Sequence, residues 1–547
     1  MRYVMPFILA MVVTMAWLPL LVRLAARWRI VDQPGARKVH ASPVPRTGGI
    51  AMAVGVSIAA LLSIDLAKQD AWFLAGAAVL VVFGGLDDRF NLDYRIKLLG
   101  QLLAVGLVVM VGGTRVHAIT LDDRVVLPDW ISLPLTIVFL VGITNAVNLA
   151  DGLDGLAGGT TFLCLCAVAL LSSVGDQGAG TALGLAFAGA ILGFLRFNTY
   201  PASVFMGDAG SQLLGFAIGV LSVRATQSAA SQVSAAIPIL LLALPILDTL
   251  SVMVQRIGEG RSPFSADKNH IHHKLLALGF GHHEAVMVLY AIQAALFVLA
   301  YFLRYESDVT ILAVVGAFFA VAIGVMEWAA RSGWRLHAGV APLGGRLRLT
   351  RFIAALQQPD RLPRLSYYAI ALALAAYAVL IVLETAATSR DVRVLIIALF
   401  AVTIAFLLVL RAAPLSLAEK AALYVTATVL VYLDAVVLPH DKLMSGLTWA
   451  AVSVAALATA VRLRLQNDRR FEITPLDLIV LFMSLVVPSL PGTLHWPHGG
   501  ALAIAKLVIL YYSIEMLVSR AEGQAVWVRI AAVSVLAGLA VRPWLPI

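Results

Sequence analysis

Carboxylates, amides and imidazoles concentrate in a few short segments of this 547-residue chain. The first, Gly85-Leu86-Asp87-Asp88-Arg89, closes an apolar run with two adjacent carboxylates and is followed by Asn91, Asp93 and Lys97. A carboxylate at the bilayer centre costs about 2.5 to 3.5 kcal/mol, so an acidic pair at the end of such a run either meets a watery surface or has work to do. The second, running from Asn145 through Asn148, Asp151 and Asp154 to Gly155, repeats a polar side chain every third position. Neighbouring members of that series share a helix face, and Gly152 and Gly155 let backbone approach a ligand. Amides and carboxylates in this pattern suit a hydrated cation or a network of sugar hydroxyls.

The third segment, Phe205-Met206-Gly207-Asp208-Ala209-Gly210-Ser211, sets a glycine-flanked aspartate just before an apolar run. A helix starting there turns its first N–H groups toward an anion while Asp208 can face a metal, although a plain N-cap explains Asp208 or Ser211 equally well. The fourth, Asp267-Lys268-Asn269-His270-Ile271-His272-His273-Lys274, offers imidazole, ammonium and amide donors suited to a diphosphate. Zinc is the rival there, as is a merely solvated basic loop, but the donor set lacks the ligand count of a structural zinc site. A fifth stretch, Asp32 to Gly49, carries Arg37, Lys38 and His40 among Pro34, Pro43 and Pro45. A stiff basic loop at a membrane surface can hold the phosphate of a lipid whose tail stays in the bilayer. Mg²⁺-assisted phosphoryl chemistry on a lipid is the reading that uses all five.

What must position these groups is a membrane bundle. Hydrophobic residues make up 61% of the chain and charged ones 13%, about half the charged share of an ordinary soluble domain. Apolar windows give about eleven spans up to Trp328 and about seven more from residue 365 to Leu545, an all-α polytopic bundle of about eighteen. The domains expected are 1–330 for catalysis, a basic connector at 331–364, and a further membrane domain of unknown role at 365–547. The two cysteines, Cys164 and Cys166, lie inside an apolar run and build neither a disulfide framework nor a zinc cage. The first apolar run, Met5 to Val22, has its arginines after it rather than before it and reads as a retained span rather than a leader.

The connector carries Arg331, Arg335, Arg346, Arg348, Arg351, Arg361 and Arg364, which the positive-inside rule puts in the cytoplasm. Counting back through eleven spans makes the loops near 23–47, 87–97, 148–160, 196–211 and 254–284 cytoplasmic. Those loops hold all five segments, so a single cytoplasmic site is expected. The formal net charge of +9 comes from Lys and Arg spread over such loops and does not point to nucleic acid. A cation-coupled transporter is the alternative from another class, but it predicts charges near mid-membrane and repeated halves.

The strings GLDD, NAVNLADGLDGL, FMGDAGS and DKNHIHHKLLALGF, in this order, resemble the polyprenyl-phosphate N-acetylhexosamine-1-phosphate transferases of glycosyltransferase family 4. The HIHH form and the opening RKVH stretch resemble the undecaprenyl-phosphate GlcNAc-1-phosphate branch that starts O-antigen (lipopolysaccharide), enterobacterial common antigen or teichoic-acid linkage synthesis. The resemblance covers roughly residues 1 to 330. It implies a bacterial inner-membrane enzyme of the EC 2.7.8 type, dependent on Mg²⁺ with Mn²⁺ as a substitute. Its substrates would be a UDP-N-acetylhexosamine and undecaprenyl phosphate, UMP would be released, and a homodimer is left open.

By the same resemblance Asp87, Asp88 and Asp208 are catalytic, and Asp208, Asp87 and Asp151 form the metal shell. Asn148, Asp151 and Asp154 organise nucleotide and metal; His270, His272, His273 and Lys274 bind diphosphate or sugar; Lys97 and Lys38 face the lipid phosphate. Asp248 matches a family position with either a structural or a functional role. Family members often carry a third acidic residue where this chain has Asn91, so Asn91 stays outside the metal shell.

Single cysteines placed near 90, 205, 270 and 345, in a background lacking Cys164 and Cys166, should react only with reagents that reach the cytoplasm. Labelling of any one from outside would break the shared-face argument.

Overall fold

The computed structural model describes residues 3–33, 43–121, 123–174, 178–228, 231–262, 269–336, 361–384, 417–434, 442–465, 475–485 and 500–518, with a few positions between 534 and 541. Two compact units divide the chain: Met1–Gly339 together with Thr474–Phe482, and Val340–Ile473 together with Met483–Ile547.

The first unit is built from α1 (Val4–Trp28), α2 (Gly48–Ser63), α3 (Lys68–Phe90), α4 (Tyr94–Gly106), α5 (Asp129–Ala150), α6 (Leu156–Val174) and α7 (Gly178–Asn198). It continues with α8 (Gly207–Gln227), short α9 (Ile237–Leu241), α10 (Ala243–Gly258), short α11 (Ile271–Ala277), α12 (His282–Phe302) and α13 (Asp308–Ser332). Two small antiparallel hairpins interrupt the helices: β1 (Val31–Asp32) with β2 (Val44–Pro45), and β3 (Ala118–Thr120) with β4 (Arg124–Val126). A π-helical turn at Leu107–Val111 extends α4.

Ten helices among the described residues are long and apolar enough to cross a membrane, eight of them in residues 4–332. This protein is therefore a multi-pass membrane protein. The expected count of about eighteen is not confirmed among the described residues. Helices α2 and α10, of 16 residues each, fall short of the roughly 20 residues that span hydrocarbon. The entry to α10 is broken at α9, where Leu242 leaves the helical conformation. Part of the C-terminal expectation lies outside the described residues.

Helix α8 is long enough, at 21 residues, but carries Asp208, Gln212 and Arg224. It tolerates them because it is the core: it packs against α2, α3, α5, α6 and α7, and its interior residues are nearly all buried. Small residues let its N-terminal turn come close to its neighbours. A Cβ on Gly49 of α2 would fall 2.1 Å from the Gly210 nitrogen, and one on Gly84 of α3 would fall 2.5 Å from Ala209 Cα. Gly215 meets Thr144 of α5 in the same way, with 2.8 Å to its Cα.

The Thr474–Phe482 segment belongs to the first unit through Phe482, whose ring packs edge-on against Phe297 of α12 at 5.4 Å. In the second unit folding assembles a charged cluster. Lys506 donates to Asp434 at 2.6 Å, the Tyr377 hydroxyl donates to the same oxygen at 2.7 Å, and the Lys506 ammonium sits 4.4 Å over the Trp449 ring.

Replacing Gly84 by Val forces backbone apart at the α3–α8 crossing, where no flexible side chain can yield. A loss of about 1 to 3 kcal/mol is expected, read as a lower melting temperature in nanodiscs, whereas Gly85→Val, with open space around its Cβ position, should leave the melt unchanged.

Candidate active site

The last turn of α3 delivers Asp87 and Asp88 to opposite tasks. Asp88 is buried, and its two oxygens accept the first N–H groups of α8, from Asp208 at 3.0 Å and Ala209 at 3.2 Å. A negative charge on otherwise unpaired N–H groups suits a helix start. The fit requires glycine at 207, where φ is +68° and a Cβ would lie 2.4 Å from Asp88 Oδ2. Arg46, just after β2, approaches Asp88 at 3.8 Å and also pairs with Asp32.

Asp87 accepts from the Leu92 nitrogen at 2.7 Å through Oδ1 and pairs with the Lys97 ammonium through Oδ2. Lys97, on α4, also reaches Asp208 Oδ2 at 3.2 Å. The other Asp208 oxygen accepts from Asn148 Nδ2 at 2.6 Å, and Asn148 also donates to Ser211 Oγ at 2.7 Å. Four helices, α3, α4, α5 and α8, thus converge on one carboxylate. Asp208 keeps 27% of its side chain accessible, while Asp87 keeps 2%. Among this group Asp208 is the carboxylate a ligand can reach.

Asp151 lies exposed in the turn after α5 and interacts electrostatically with Asp208, Asp154 and Arg46. Asp154 accepts from the Ala202 nitrogen at 2.9 Å, so it fastens the α5–α6 turn to the loop between α7 and α8. Asn198 completes the fastening: it accepts from Gly155 N at 2.9 Å and donates to the Val204 carbonyl at 2.8 Å.

The histidine segment is held by Asp248 of α10. One Asp248 oxygen lies 2.8 Å from His270 Nδ1 and the other accepts from Ile271 N at 2.6 Å, which fixes the start of α11. From there His272 reaches Gly152: a Cβ on that glycine would lie 2.3 Å from His272 Nε2. His272 is 3% exposed, its ring lies 4.3 Å from that of His273, and burial followed by the neighbouring His273 pushes its imidazole down to about 4. It is a neutral group at physiological pH. His273 and Lys274 remain half-buried at the same end.

Every site residue named from the sequence except Lys38 is therefore gathered at one end of the first unit. Lys38 lies outside the described residues. Two residues were missed. Arg46 is the basic side chain of the fifth stretch that meets Asp88, and its place directly after Val44-Pro45 was the available signal. His282, at the start of α12, stacks on Tyr200 at 4.3 Å and interacts with Asp154. The pair His282-His283 could have flagged it. Asn91 turns the chain out of α3 with φ +50°, a left-handed conformation that asparagine tolerates.

The sequence profile described as glycosyl transferase family 4 matches residues 71–226, which include Asp87, Lys97, Asn148 and Asp208. A probable undecaprenyl-phosphate N-acetylglucosaminyl 1-phosphate transferase of Bacillus subtilis (strain 168) is 38% identical over 296 residues, covering 53% of this chain and 82% of that protein. The chain belongs to glycosyl transferase family 4. Within it the relatives are polyprenyl-phosphate sugar-phosphate transferases. The undecaprenyl-phosphate alpha-N-acetylglucosaminyl 1-phosphate transferase of Escherichia coli (strain K12) is 30% identical over 342 residues, covering 60% of this chain and 91% of that protein. A decaprenyl-phosphate N-acetylglucosaminephosphotransferase of Mycolicibacterium smegmatis is 39% identical over 299 residues, 49% of this chain and 73% of its own length. As a member of this family the chain is a transferase, and the cation-coupled carrier is set aside.

The His272 imidazole protonates near 6.5 when unfolded and near 4 when folded, so the unfolded chain binds the extra proton between those values. Its contribution to stability is complete above about 6.5 and is lost as pH falls toward 4. His272→Gln should flatten the fall in melting temperature between pH 7 and pH 5; an unchanged slope would remove this histidine from the acid sensitivity.

Proposed function

We propose that this protein transfers N-acetylhexosamine-1-phosphate, with N-acetylglucosamine the first choice of sugar, from a UDP-sugar to undecaprenyl phosphate. A phosphate oxygen of the lipid attacks the β-phosphorus of the donor. The bond from that phosphorus to the bridging oxygen breaks, UMP leaves with the electron pair, and the lipid diphosphate-sugar remains. The observation that carries this reading is the Asp87–Lys97–Asp208 arrangement, with Asn148 on the far side of Asp208. It is a charged, partly open cluster at the end of membrane helices, in a chain whose relatives bear polyprenyl-phosphate transferase names.

The acceptor phosphate has a second pKa near 6, so much of it is already dianionic at neutral pH and needs little help from a base. Bringing two anions together is the harder demand. Lys97, released from one carboxylate, is placed to meet a phosphate, and Arg46 stands beside Asp88 as a second cation. Lys274 and the neutral His272 can donate N–H groups to the diphosphate, with His270 held in orientation by Asp248.

Among the described residues no three His, Cys, Asp or Glu side chains form a protein-only metal cage. Mg²⁺ does not require one, because it is commonly held by one or two carboxylates with substrate phosphates and water completing its shell. Asp87 Oδ2 and Asp208 Oδ2 face one cationic position, now taken by the Lys97 ammonium, and hard oxygen donors of this kind fit Mg²⁺, or Mn²⁺ in its place. When bound, the ion neutralises diphosphate charge; Asp208 and Asp87 would hold it, with Asp151 next in line. The arginine-rich connector supports a cytoplasmic placement in the plasma membrane, where UDP-sugars are found, and the product would start a cell-surface polysaccharide.

Purified protein in nanodiscs containing undecaprenyl phosphate should release UMP from one member of a UDP-sugar panel, lose that activity with EDTA, and regain it with Mg²⁺. Asp208→Asn and Asp87→Asn should each lower turnover at least about a hundredfold without loss of folding. No UMP from any UDP-N-acetylhexosamine, or near-normal turnover in both variants, would overturn the assignment.

A further inference from the structure

The end of the first unit opposite Asp208 contains a cavity of about 480 Å³, within the range of small-ligand sites. It lies between the β3–β4 hairpin, the end of α8 and the approach to α9. Gln227 closes α8 there, and the 19 residues from Asp208 to Gln227 put the cavity about 28 Å along the helix from the catalytic cluster. That is close to the thickness of the hydrocarbon core. The cavity therefore opens at the other membrane interface.

Its walls are fixed by hydrogen bonds already made. Gln227 Oε1 accepts from His117 N at 3.1 Å and Ala118 N at 3.0 Å, and its Nε2 donates to the Ala118 carbonyl at 3.0 Å. Asp308, at the start of α13, accepts from Thr120 N at 2.6 Å, from Ala236 N at 3.0 Å and from Ser234 Oγ. Hairpin, α8, the α9 approach and α13 are thereby locked around the space.

The lining mixes polar and apolar side chains, and among the described residues Arg124 is its one charged side chain. Arg124 is exposed and donates to the Ser231 carbonyl at 3.3 Å. A guanidinium carries five N–H groups in a fork that matches phosphate oxygens. Gln232, exposed on the same lining, adds an amide. Beside this space the rest of β4 is apolar and uncovered, with Val125 43% and Val126 73% exposed, and Trp130 is 75% exposed on the first turn of α5. An interfacial tryptophan and bare valines next to a phosphate-suited cavity call for a ligand with a phosphate head and an acyl tail.

We infer that this cavity binds the phosphodiester headgroup of an anionic glycerophospholipid from the leaflet opposite the active site, with Arg124 as the phosphate partner and the Val125-Val126 strand against the acyl chains. The site stands apart from the transfer reaction and does not depend on that reading.

The test uses the full chain purified in detergent and titrated with phosphatidylglycerol or phosphatidylcholine, binding being followed by melting temperature and by lipid retained in native mass spectrometry. Phosphatidylglycerol should bind and raise the melt, and Arg124→Ala should weaken it at least about tenfold, the size expected for losing a charge-assisted bidentate contact. Sugar-phosphate transfer should be unchanged in that variant. If Arg124→Ala does not fold, Gln232→Leu, an exposed position, decides by a smaller loss in the same direction. Equal retention in both variants, or equal binding of phosphatidylcholine, would overturn the proposal. So would full protection by inorganic phosphate or glycerol 1-phosphate alone, which would make this a soluble-phosphate site.

Discussion

The first unit turns on the contact between one carboxylate and one helix start. Asp88 receives the N–H groups of Asp208 and Ala209, and hydrogen bonds to a charged group are each worth about 1.5 to 3 kcal/mol. This contact joins α3 to α8, and α8 is the helix against which α2, α5, α6 and α7 also pack. Because the helix begins under Asp88, Asp208 is set in its first turn beside Lys97 and Asn148. Gly49, Gly84 and Gly207 are the steric conditions of that approach, since any side chain at those positions would occupy space held by backbone or by the carboxylate itself.

Charge balance follows from the same geometry. Asp87, Asp88, Asp151 and Asp208 crowd one helix end, and among the described residues Lys97 and Arg46 are the cations that offset them. The surplus is negative, which suits a cation arriving with an anionic substrate better than an anion arriving alone. His272 on the other side does not change this balance, because burial and its neighbours keep it neutral.

Much of this was legible in the chain. Apolar runs announced the helices, and the order of the motifs announced which turns would meet. Helix length was not legible in the apolar runs: α2 and α10 have 16 residues each, and the entry to α10 is broken at Leu242. Within the site, residue type was readable but division of labour was not. Asp87 and Asp88 are adjacent and alike, yet one faces Lys97 and the other caps a helix. Asp154 holds the Ala202 backbone, and Asp248 orients His270 from a helix whose sequence gave no sign of that partner. Lys97 gave only a faint signal as an isolated lysine and became central once α4 brought it between two aspartates. Such pairings join positions up to 121 residues apart, which spacing along a chain cannot register.

The Asp434–Lys506 pair in the second unit bears on how the chain is made. Their side chains are 0% and 8% exposed, and each belongs to a different helix, one leaving the ribosome about seventy residues before the other. An unpaired charge deep in an apolar helix carries an insertion penalty of about 2.5 to 3.5 kcal/mol. In the folded unit the earlier carboxylate therefore has two donors, the Tyr377 hydroxyl made before it and the Lys506 ammonium made after it. A charge made early is matched by one made about seventy residues later, so the Gly500–Val518 helix is tied into its unit by an ion pair as well as by apolar packing.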